Sequence, residues 1–449
     1  MEAERHDRNT EPNRAAPPDR TPETPPTPTA TPPAHGDARP TPAATPSAPG
    51  DVAPVPGDVP SGRGDGPPAS DAGPSASDAG PPASDAGPSA SDAGPPAADG
   101  GDASPPPPAS GAPRPRRRRL RRVLGAVLLV LVLPLLTAET ALRVNYTGSP
   151  APGTLTRDKD ALWLGHAWVD GRKSDEDVRA LAERLRGTGI RDLYVHAGPL
   201  EHDGTLPKAA YRKAGRLVAA VHRELPGVRV QAWLGDVLAT EGPDGLRLER
   251  AATRAAIVAS ARDVLAAGFE GTHFDLEPLH SGDRDYLSLL DDLRALTRAQ
   301  HAVLSVAAHQ IDPLPGFHSF WGTTTGHPKW WSQAYFGQVA RRVDQIAVMS
   351  YDTMQPLQSL YGGYVAQQTS LALEVTPEST DLLMGLPFYH ENRFGHWAHA
   401  ETVPAAVRGV RLGLSRTDAD RARFGVALYV DFAATEADWA AYREGWARR

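Results

Sequence analysis

Eight short apolar runs alternate with longer amphipathic stretches from residue 161 onward. Short runs rich in β-branched and aromatic residues are typical of strands, and the stretches between them are typical of amphipathic helices. The apolar runs begin at residues 161, 191, 229, 271, 302, 345, 381 and 424. Helices are predicted, among other places, over 175–186, 208–225, 250–267, 283–300 and 436–446.

Eight strand-and-helix units in roughly 290 residues predict an α/β protein with a closed (β/α)8 TIM barrel over 161–449. A doubly wound open sheet would also alternate strands with helices, but it should carry a glycine-rich phosphate turn after its first strand. The first run continues as WLGHAWVDG, which has no such turn. Helix start signals fit the barrel: Ser174 precedes Asp177 by three residues, and Thr435 precedes a Glu and an Asp.

The first 113 residues have a very different composition. Residues 1–115 contain no Leu, Ile, Phe, Tyr or Trp and hold 30 of the 45 prolines, so they cannot bury enough apolar surface to offset chain entropy. A seven-residue repeat of the type GPPASDA runs from Gly66 to Gly100, and its prolines exclude a coiled coil. We predict a disordered cytoplasmic tail with an extended, partly polyproline spacer.

A basic and apolar segment separates this tail from the barrel. Seven arginines between Arg114 and Arg122 precede the uncharged stretch Val123 to Ala138. Arginines before an apolar run predict a single-pass membrane anchor over 114–142, with a cytoplasmic N-terminus and an extracytoplasmic barrel. A cleaved signal is a weaker alternative, since such signals lie near a chain terminus, and the residues after the paired arginines fit a twin-arginine export signal poorly. Residues 143–160 are then a linker rich in Gly, Pro and Thr.

Charge and cysteine content exclude several classes of function. A net charge of -7 gives no signal for nucleic-acid binding, and the arginines before the anchor would face anionic membrane lipid instead. The chain has no cysteine, which excludes disulfides, thiol nucleophiles and thiolate metal sites. Its 15 histidines form no H-x-x-x-H or H-E-x-x-H spacing, so we expect neither a metal nor another cofactor.

Polar and aromatic side chains collect where the predicted strands end, which is where barrel active sites lie. They are His166, Trp168, His196, Asp236, Asp275, Glu277, His309, Gln310, Tyr351, Asp352, Tyr389, Glu391, Tyr429 and Asp431. Asp275 and Glu277 are two residues apart on the fourth strand and therefore share a face. A Glu beside aromatic rings and a second carboxylate keeps its proton to higher pH and can protonate a glycosidic oxygen. Glu277 is the candidate general acid, and Asp275 a candidate stabiliser of positive charge.

Three motifs resemble those of glycoside hydrolase family 18, the chitinases and endo-β-N-acetylglucosaminidases. GTHFDLE at 271–277 is similar to the family's D-G-x-D-x-D-x-E strand, MSYD at 349–352 to its M-x-Y-D, and MGLPFYH at 384–390 to its G-x-P-x-Y. The resemblance implies a substrate-assisted glycosidase in which Glu277 is the acid, Asp275 polarises the acetamide nitrogen and Tyr351 holds the acetamide oxygen. We expect substrate contacts from seven further residues: Asp352, His273, Trp168, Tyr389, Glu391, Tyr429 and His309.

The sequence departs from the family at the first and middle Asp of the strand-four motif, where it has Glu270 and His273. His273 could hydrogen-bond Asp275 and, if protonated, hold it as the anion. The family's Trp on strand eight is replaced by Tyr429.

Two other functions remain open at this point. One is a retaining glycosidase that uses Glu277 with Glu391, and the other is an inactive, glycan-binding barrel. Trp321, Trp330 and Trp331, in a long loop after strand five, form a cleft wall or pack on the barrel rim. We expect a monomer whose partners are a glycan and membrane lipid.

Overall fold

The computed structural model describes residues 115–240 and 244–448. The predicted disordered tail and its repeats lie outside the described residues. The prediction of a TIM barrel is confirmed, because eight parallel strands close in the order β1-β10-β9-β8-β5-β4-β3-β2. These strands are β1 (Asp160–Leu164), β2 (Ile190–Pro199), β3 (Arg229–Val237), β4 (Gly271–Glu277), β5 (Val303–Ala308), β8 (Gln345–Val348), β9 (Asp381–Pro387) and β10 (Phe424–Tyr429). All eight begin within one residue of the predicted positions.

Helices surround the barrel and precede it. They are α1 (Pro115–Asn145), α2 (Ala167–Asp170), α3 (Asp175–Leu185), α4 (Ala214–Glu224), α5 (Ala251–Ala266), α6 (Arg284–Ala299), α7 (Phe317–Thr325), α8 (Gln333–Ala340), α9 (Gln358–Val375), α10 (Val403–Thr417) and α11 (Glu436–Tyr442). A 3₁₀ turn at Lys208–Tyr211 precedes α4, and a π-helical turn at Arg443–Ala447 follows α11. Both capping boxes predicted from the sequence are present, at Ser174 with Asp177 and at Thr435 with Asp438.

The long loop predicted after strand five contains regular structure. It contributes α7 and a two-stranded parallel sheet, made of β6 (Gln310–Ile311) and β7 (Trp330–Trp331). Trp330 and Trp331 are buried. Trp330 donates a hydrogen bond to the Tyr364 hydroxyl, and Trp331 donates one to the carbonyl of Leu279. These two aromatic rings therefore pack on the barrel rim and fix the loop, rather than lining an open cleft.

Two apolar cores hold the barrel together. The larger core lies between the strands and the surrounding helices and includes Leu193, Val264 and Leu290. The smaller core fills the lumen and includes Trp163, Tyr194 and Trp233. Successive side chains of a strand point to opposite faces, so neighbouring residues such as Leu193 and Tyr194 of β2 enter different cores.

A polar network closes the lumen below its aromatic residues. Asp192 forms a two-pronged ion pair with Arg229, with both nitrogen–oxygen distances at 2.8 Å. The same carboxylate accepts hydrogen bonds from the side-chain amides of Gln231 and Gln345. The side-chain amide oxygen of Gln345 in turn accepts a hydrogen bond from the hydroxyl of Tyr194. Each buried polar group in this layer has partners, so the barrel tolerates charge deep in its interior.

Helix α1 is long and apolar enough over Leu120–Asn145 to cross a membrane. Its described apolar side chains are largely exposed, for example Val130 and Leu135. An apolar helix exposed on all sides is typical of a membrane span. The segment after it, expected to be a linker, lies along the barrel's outer helices: Arg408 donates hydrogen bonds to the carbonyls of Tyr146 and Gly148.

Candidate active site

Strand β4 carries Asp275 and Glu277 to the mouth of the barrel, defined here as the end at which the strands finish. Asp275 is half-buried and accepts a hydrogen bond of 3.1 Å from the indole nitrogen of Trp233 on β3 through its Oδ2. Its Oδ1 is buried and has no hydrogen-bond partner among the described residues. Glu277 lies at the end of the strand, and 47% of its side chain is exposed. One carboxylate is therefore held in place and the other can reach a bound molecule.

The surroundings raise the pKa of both carboxyl groups. Burial raises the pKa of Asp275 to about 6, against the lowering effect of the Trp233 hydrogen bond. Burial and the negative charges of Asp275 and Asp352 raise the pKa of Glu277 to about 8, against the positive charges of Lys329 and Arg393. Water at the exposed part of Glu277 screens some of this effect but leaves its direction unchanged. Near neutral pH, Glu277 keeps its proton while Asp275 is largely ionised.

His273 does not contact Asp275, so the hypothesis that a protonated His273 holds Asp275 as an anion is wrong. The ring is fully buried and stacks on Tyr194 at a centroid distance of 3.8 Å. Its Nε2 accepts a hydrogen bond from Trp163, and its Nδ1 donates to the Ser305 hydroxyl. Burial lowers its pKa well below the usual range, which keeps the ring neutral. His273 is thus a lumen residue beneath the site and not a substrate contact.

Glu270, the other departure in the strand-four motif, also lies away from the mouth. It precedes β4 and accepts hydrogen bonds from the backbone of Val230 and from the ring of His222. Both differences from the family motif therefore concern residues that support the barrel, and neither changes the groups that face the mouth.

Three tyrosines form one wall of the site. Tyr351 stacks on Tyr429 at a centroid distance of 5.2 Å, and Tyr389 packs edge-on against both. The charges of Asp275 and Glu277 both act on the Tyr351 hydroxyl. A glycine in β9 makes room for this arrangement, because a Cβ on Gly385 would lie 2.8 Å from Cε1 of Tyr351. The glycine of the MGLP segment thus has a steric cause at the site.

Asp352 lies beside this wall and holds Tyr389 in place. Its backbone adopts a left-handed conformation with φ of 55°, and its Oδ1 accepts a 2.7 Å hydrogen bond from the Tyr389 hydroxyl. Its Oδ2 accepts one of 2.8 Å from Arg393. Burial would raise its pKa, but the hydrogen bond with His396 and the charge of Arg393 outweigh that effect and lower it. Asp352 is therefore a fixed anion that orients Tyr389.

His396 and Glu401 form a buried support behind Asp352. The Nδ1 of His396 lies 3.2 Å from Oδ1 of Asp352 and 3.1 Å from Oε2 of Glu401. Burial would lower the pKa of His396, but hydrogen bonds to these two carboxylates raise it to about 9. Ligand atoms of the three residues lie within 4.8 Å of one another, a spacing that could also hold a cation. The imidazolium already supplies a positive charge between the two carboxylates.

Lys329 and His309 complete the surroundings of Glu277. The Lys329 ammonium donates a 2.7 Å hydrogen bond to the carbonyl of Asp352. His309 lies 3.7 Å from Glu277, but its Nε2 accepts a hydrogen bond from the backbone of Leu279. Burial and the charge of Lys329 lower the pKa of His309 to about 4, so this contact is not an ion pair.

Sequence reasoning missed Lys329, Arg393, His396 and Glu401. Their interactions with Asp352 depend on how the loops after β5 and β9 fold, and no spacing in the sequence encodes that. The only available signal was the length of the loop that contains Lys329.

Besides His273, two predicted substrate contacts lie outside this cluster. Trp168 is buried and donates a hydrogen bond to Oδ2 of Asp431, and Lys173 lies over its ring. Glu391 is exposed and is not among the charges that act most strongly on Glu277. Of the other candidates, the structure brings Asp275, Glu277, Tyr351, Asp352, Tyr389, Tyr429 and His309 together at the mouth.

Three solved structures are similar to this chain. A chitinase from Chromobacterium violaceum is 14% identical, with a TM-score of 0.46, and the match covers 65% of this chain and 99% of that one. A spore cortex-lytic enzyme from Bacillus megaterium is 12% identical, with a TM-score of 0.46 and coverage of 66% and 76%. A glycoside hydrolase family 18 N-acetylglucosaminidase from Paenibacillus barengoltzii is 12% identical, with a TM-score of 0.43 and coverage of 64% and 99%.

These likenesses concern the fold. No protein-family model matches the sequence, and the comparison with curated proteins gives no match.

Proposed function

We propose that the barrel is a membrane-anchored, extracytoplasmic glycoside hydrolase that acts on glycans containing N-acetylhexosamine. The observation that carries this proposal is the pairing of Asp275 and Glu277 at the mouth beside Tyr351, with unequal pKa values. A protonated carboxyl and an ionised carboxylate on one strand can divide the roles of proton donor and charge stabiliser.

The neighbouring carboxylates suit a substrate-assisted mechanism. Glu277 gives its proton to the glycosidic oxygen as the bond to the anomeric carbon breaks. The acetamide oxygen of the same sugar attacks that carbon, and the buried Oδ1 of Asp275 accepts a hydrogen bond from the acetamide N–H. The Glu277 carboxylate then takes a proton from a water molecule as that water attacks the anomeric carbon. This step opens the cyclic intermediate and returns Glu277 to its protonated form. No glycosyl-enzyme bond is needed, so a second carboxylate across the sugar ring is not required.

Tyr351 and Tyr389 are suited to position the sugar in this scheme. Tyr351 lies in the aromatic wall within electrostatic range of both carboxylates, and its hydroxyl can donate to the acetamide oxygen. Tyr389 is fixed by Asp352, which in turn is held by Arg393 and His396. Stacked tyrosines also offer an apolar face against which a sugar ring can pack.

The dependence on the N-acetyl group tests this proposal. We expect the chain to hydrolyse chromogenic oligomers of N-acetylglucosamine and to leave the matching glucosamine and glucose oligomers intact. Only the N-acetylglucosamine oligomers carry the acetamide oxygen that acts as the nucleophile. Equal turnover of acetylated and non-acetylated oligomers, or trapping by a 2-fluoro glycoside, would instead support a covalent mechanism. Binding of the acetylated oligomers without turnover at any pH would support an inactive, glycan-binding barrel.

A further inference from the structure

Exposed apolar side chains are confined to one part of the barrel. Outside α1, every large apolar side chain that is exposed in the described part of the chain lies in a loop that follows a barrel strand. These side chains are Leu314, Phe320, Leu357, Phe394, Trp397 and Phe432. Phe394 is 94% exposed. Soluble proteins rarely expose a cluster of large apolar side chains unless the cluster binds something.

The six side chains occupy one half of the mouth. Leu314 and Phe320 follow β5, Leu357 follows β8, Phe394 and Trp397 follow β9, and Phe432 follows β10. These four strands are neighbours in the barrel. The loops after β1, β2, β3 and β4 carry no such side chain among their described residues. We call the six residues the apolar rim.

The end of α1 is fixed on the same half of the barrel. The carbonyl of Leu142 lies so close to Gly363 that any side chain there would overlap it, and Gly362 is equally close to the ring of Tyr146. Arg143 donates a hydrogen bond of 3.5 Å to the Ser359 hydroxyl. Helix α9 begins just after the mouth loop of β8, so these contacts lie beside its first two turns, near the level of the mouth.

Together these positions locate the membrane relative to the barrel. The uncharged stretch of α1 ends at Ala138, about one helical turn before Leu142, which places the membrane surface close to the start of α9. The apolar rim lies on the same half and at the same end of the barrel. We propose that the mouth faces the bilayer that holds α1, with the apolar rim inserted into its surface, and that the site acts on a glycan carried by a lipid.

The bilayer is the expected binding partner of the apolar rim because the rim lies next to the end of the apolar helix α1. Exposed apolar side chains next to a membrane-spanning helix are stabilised when they enter the interfacial region. The identity of the glycan carrier rests on the function proposed above, whereas the contact with the bilayer does not. The two parts can be tested separately.

Site-specific labelling tests the contact with the bilayer. Because the chain has no cysteine, Phe394→Cys and the control Ala299→Cys each provide a single site for an environment-sensitive fluorophore. Ala299 is exposed at the end of α6, on the opposite end of the barrel. In full-length chain reconstituted in vesicles of phosphatidylethanolamine and phosphatidylglycerol, we expect spin-labelled lipid to quench the label at position 394 about threefold more than that at 299. Equal quenching at both positions would overturn the proposal.

A second measurement tests the substrate class. We expect the double variant Phe320→Glu with Phe394→Glu to hydrolyse an N-acetylhexosamine glycolipid in vesicles about tenfold more slowly than the wild type, with unchanged hydrolysis of soluble oligomers. An equal loss on both substrates would assign the rim to sugar binding and overturn the lipid-linked substrate. If the wild type hydrolysed neither substrate, the proposed function would fail, and the labelling result would still decide the contact with the bilayer.

Discussion

Asp275 and Glu277 are separated by one residue, yet their surroundings assign them different protonation states. Trp233 holds one oxygen of Asp275, while Glu277 lies further out, between the negative charges of Asp275 and Asp352. These surroundings raise the pKa of Asp275 to about 6 and that of Glu277 to about 8. Those values define the pH range in which the site has one proton donor and one anion.

The rate of hydrolysis should therefore follow a bell-shaped pH profile. We expect kcat/KM to rise with pH as Asp275 ionises near pH 6 and to fall as Glu277 loses its proton near pH 8. Replacing Lys329 by Met removes a positive charge that stabilises the Glu277 anion, so the pKa of Glu277 should rise. The alkaline limb should then move up by roughly half a pH unit or more. Lys208→Met, at an exposed lysine, is the control, and an alkaline limb that did not move would contradict this assignment.

His273 gives a prediction about stability rather than chemistry. Replacing it by Ala removes the stacking on Tyr194 and leaves the indole N–H of Trp163 without its buried partner, while the Ser305 hydroxyl keeps its hydrogen bond to Gln231. We expect the free energy of unfolding to fall by about 3 kcal/mol. The acidic limb of the pH profile should remain in place in the folded variant, because His273 does not touch Asp275. Denaturant unfolding measures the first effect, with the exposed His222→Ala as the control, and a shifted acidic limb would show a contact absent from the structure.

At the scale of elements, the barrel strands act as a frame that brings distant residues to one end. The site combines the ends of β3, β4, β8, β9 and β10 with the loop between β5 and α8. Small residues in the strands set how closely these parts meet. Gly385 is the clearest case, because the ring of Tyr351 occupies the space that a side chain on β9 would fill.

Gly385→Ala should displace Tyr351 while the fold persists. A Cβ there would lie 2.8 Å from both Cε1 of Tyr351 and the carbonyl oxygen of Val348. Because catalysis depends on the position of the acetamide oxygen, we expect kcat/KM to fall by about tenfold or more. Gly322→Ala in α7, where nothing lies within 4 Å, should leave activity unchanged. Circular dichroism can confirm that both variants are folded, and full activity of the Gly385 variant would argue against a role for Tyr351.

The elements also show where sequence reasoning succeeds. The strands were predictable because each apolar run is short and bounded by turns, and the capping residues marked helix starts. Asp275, Glu277 and Tyr351 could be placed at the mouth because strand ends meet there. His273 could not be interpreted correctly, since its partners Trp163 and Ser305 come from strands far away in the sequence. The same reason hid Lys329 and His396, whose loops approach Asp352 only in the folded chain.

At the scale of the whole molecule, the chain joins an apolar helix to the barrel through a fixed contact. The end of α1 packs closely against Gly363, and Arg408 and Arg416 bind carbonyls of the segment that follows. A flexible tether would let the mouth point in any direction. The observed contact restricts it to one side, as the proposed action on a lipid-held glycan requires.

Gly363→Val should release this contact. The added side chain would overlap the carbonyl of Leu142, so we expect residues 143–157 to open and trypsin to cut after Arg143 or Arg157 about tenfold faster than in the wild type. Hydrolysis of soluble oligomers should not change, because the site lies elsewhere. Gly322→Val provides a matched control in an exposed helix. A cleavage rate equal to that of the wild type would show that α1 and the barrel are not held together in solution.

The central claim is that Glu277 donates the proton in a substrate-assisted hydrolysis. It is tested most directly by comparing kcat/KM of the wild type, Glu277→Gln and Glu391→Gln on a chromogenic tri-N-acetylchitotrioside. Gln keeps the shape of Glu but cannot give up a proton, so we predict a loss of about 10²- to 10⁴-fold for Glu277→Gln. Glu391→Gln should stay within about twofold of the wild type, as is usual for an exposed residue outside the site. Undiminished turnover by Glu277→Gln, or an equal loss in both variants, would contradict the account.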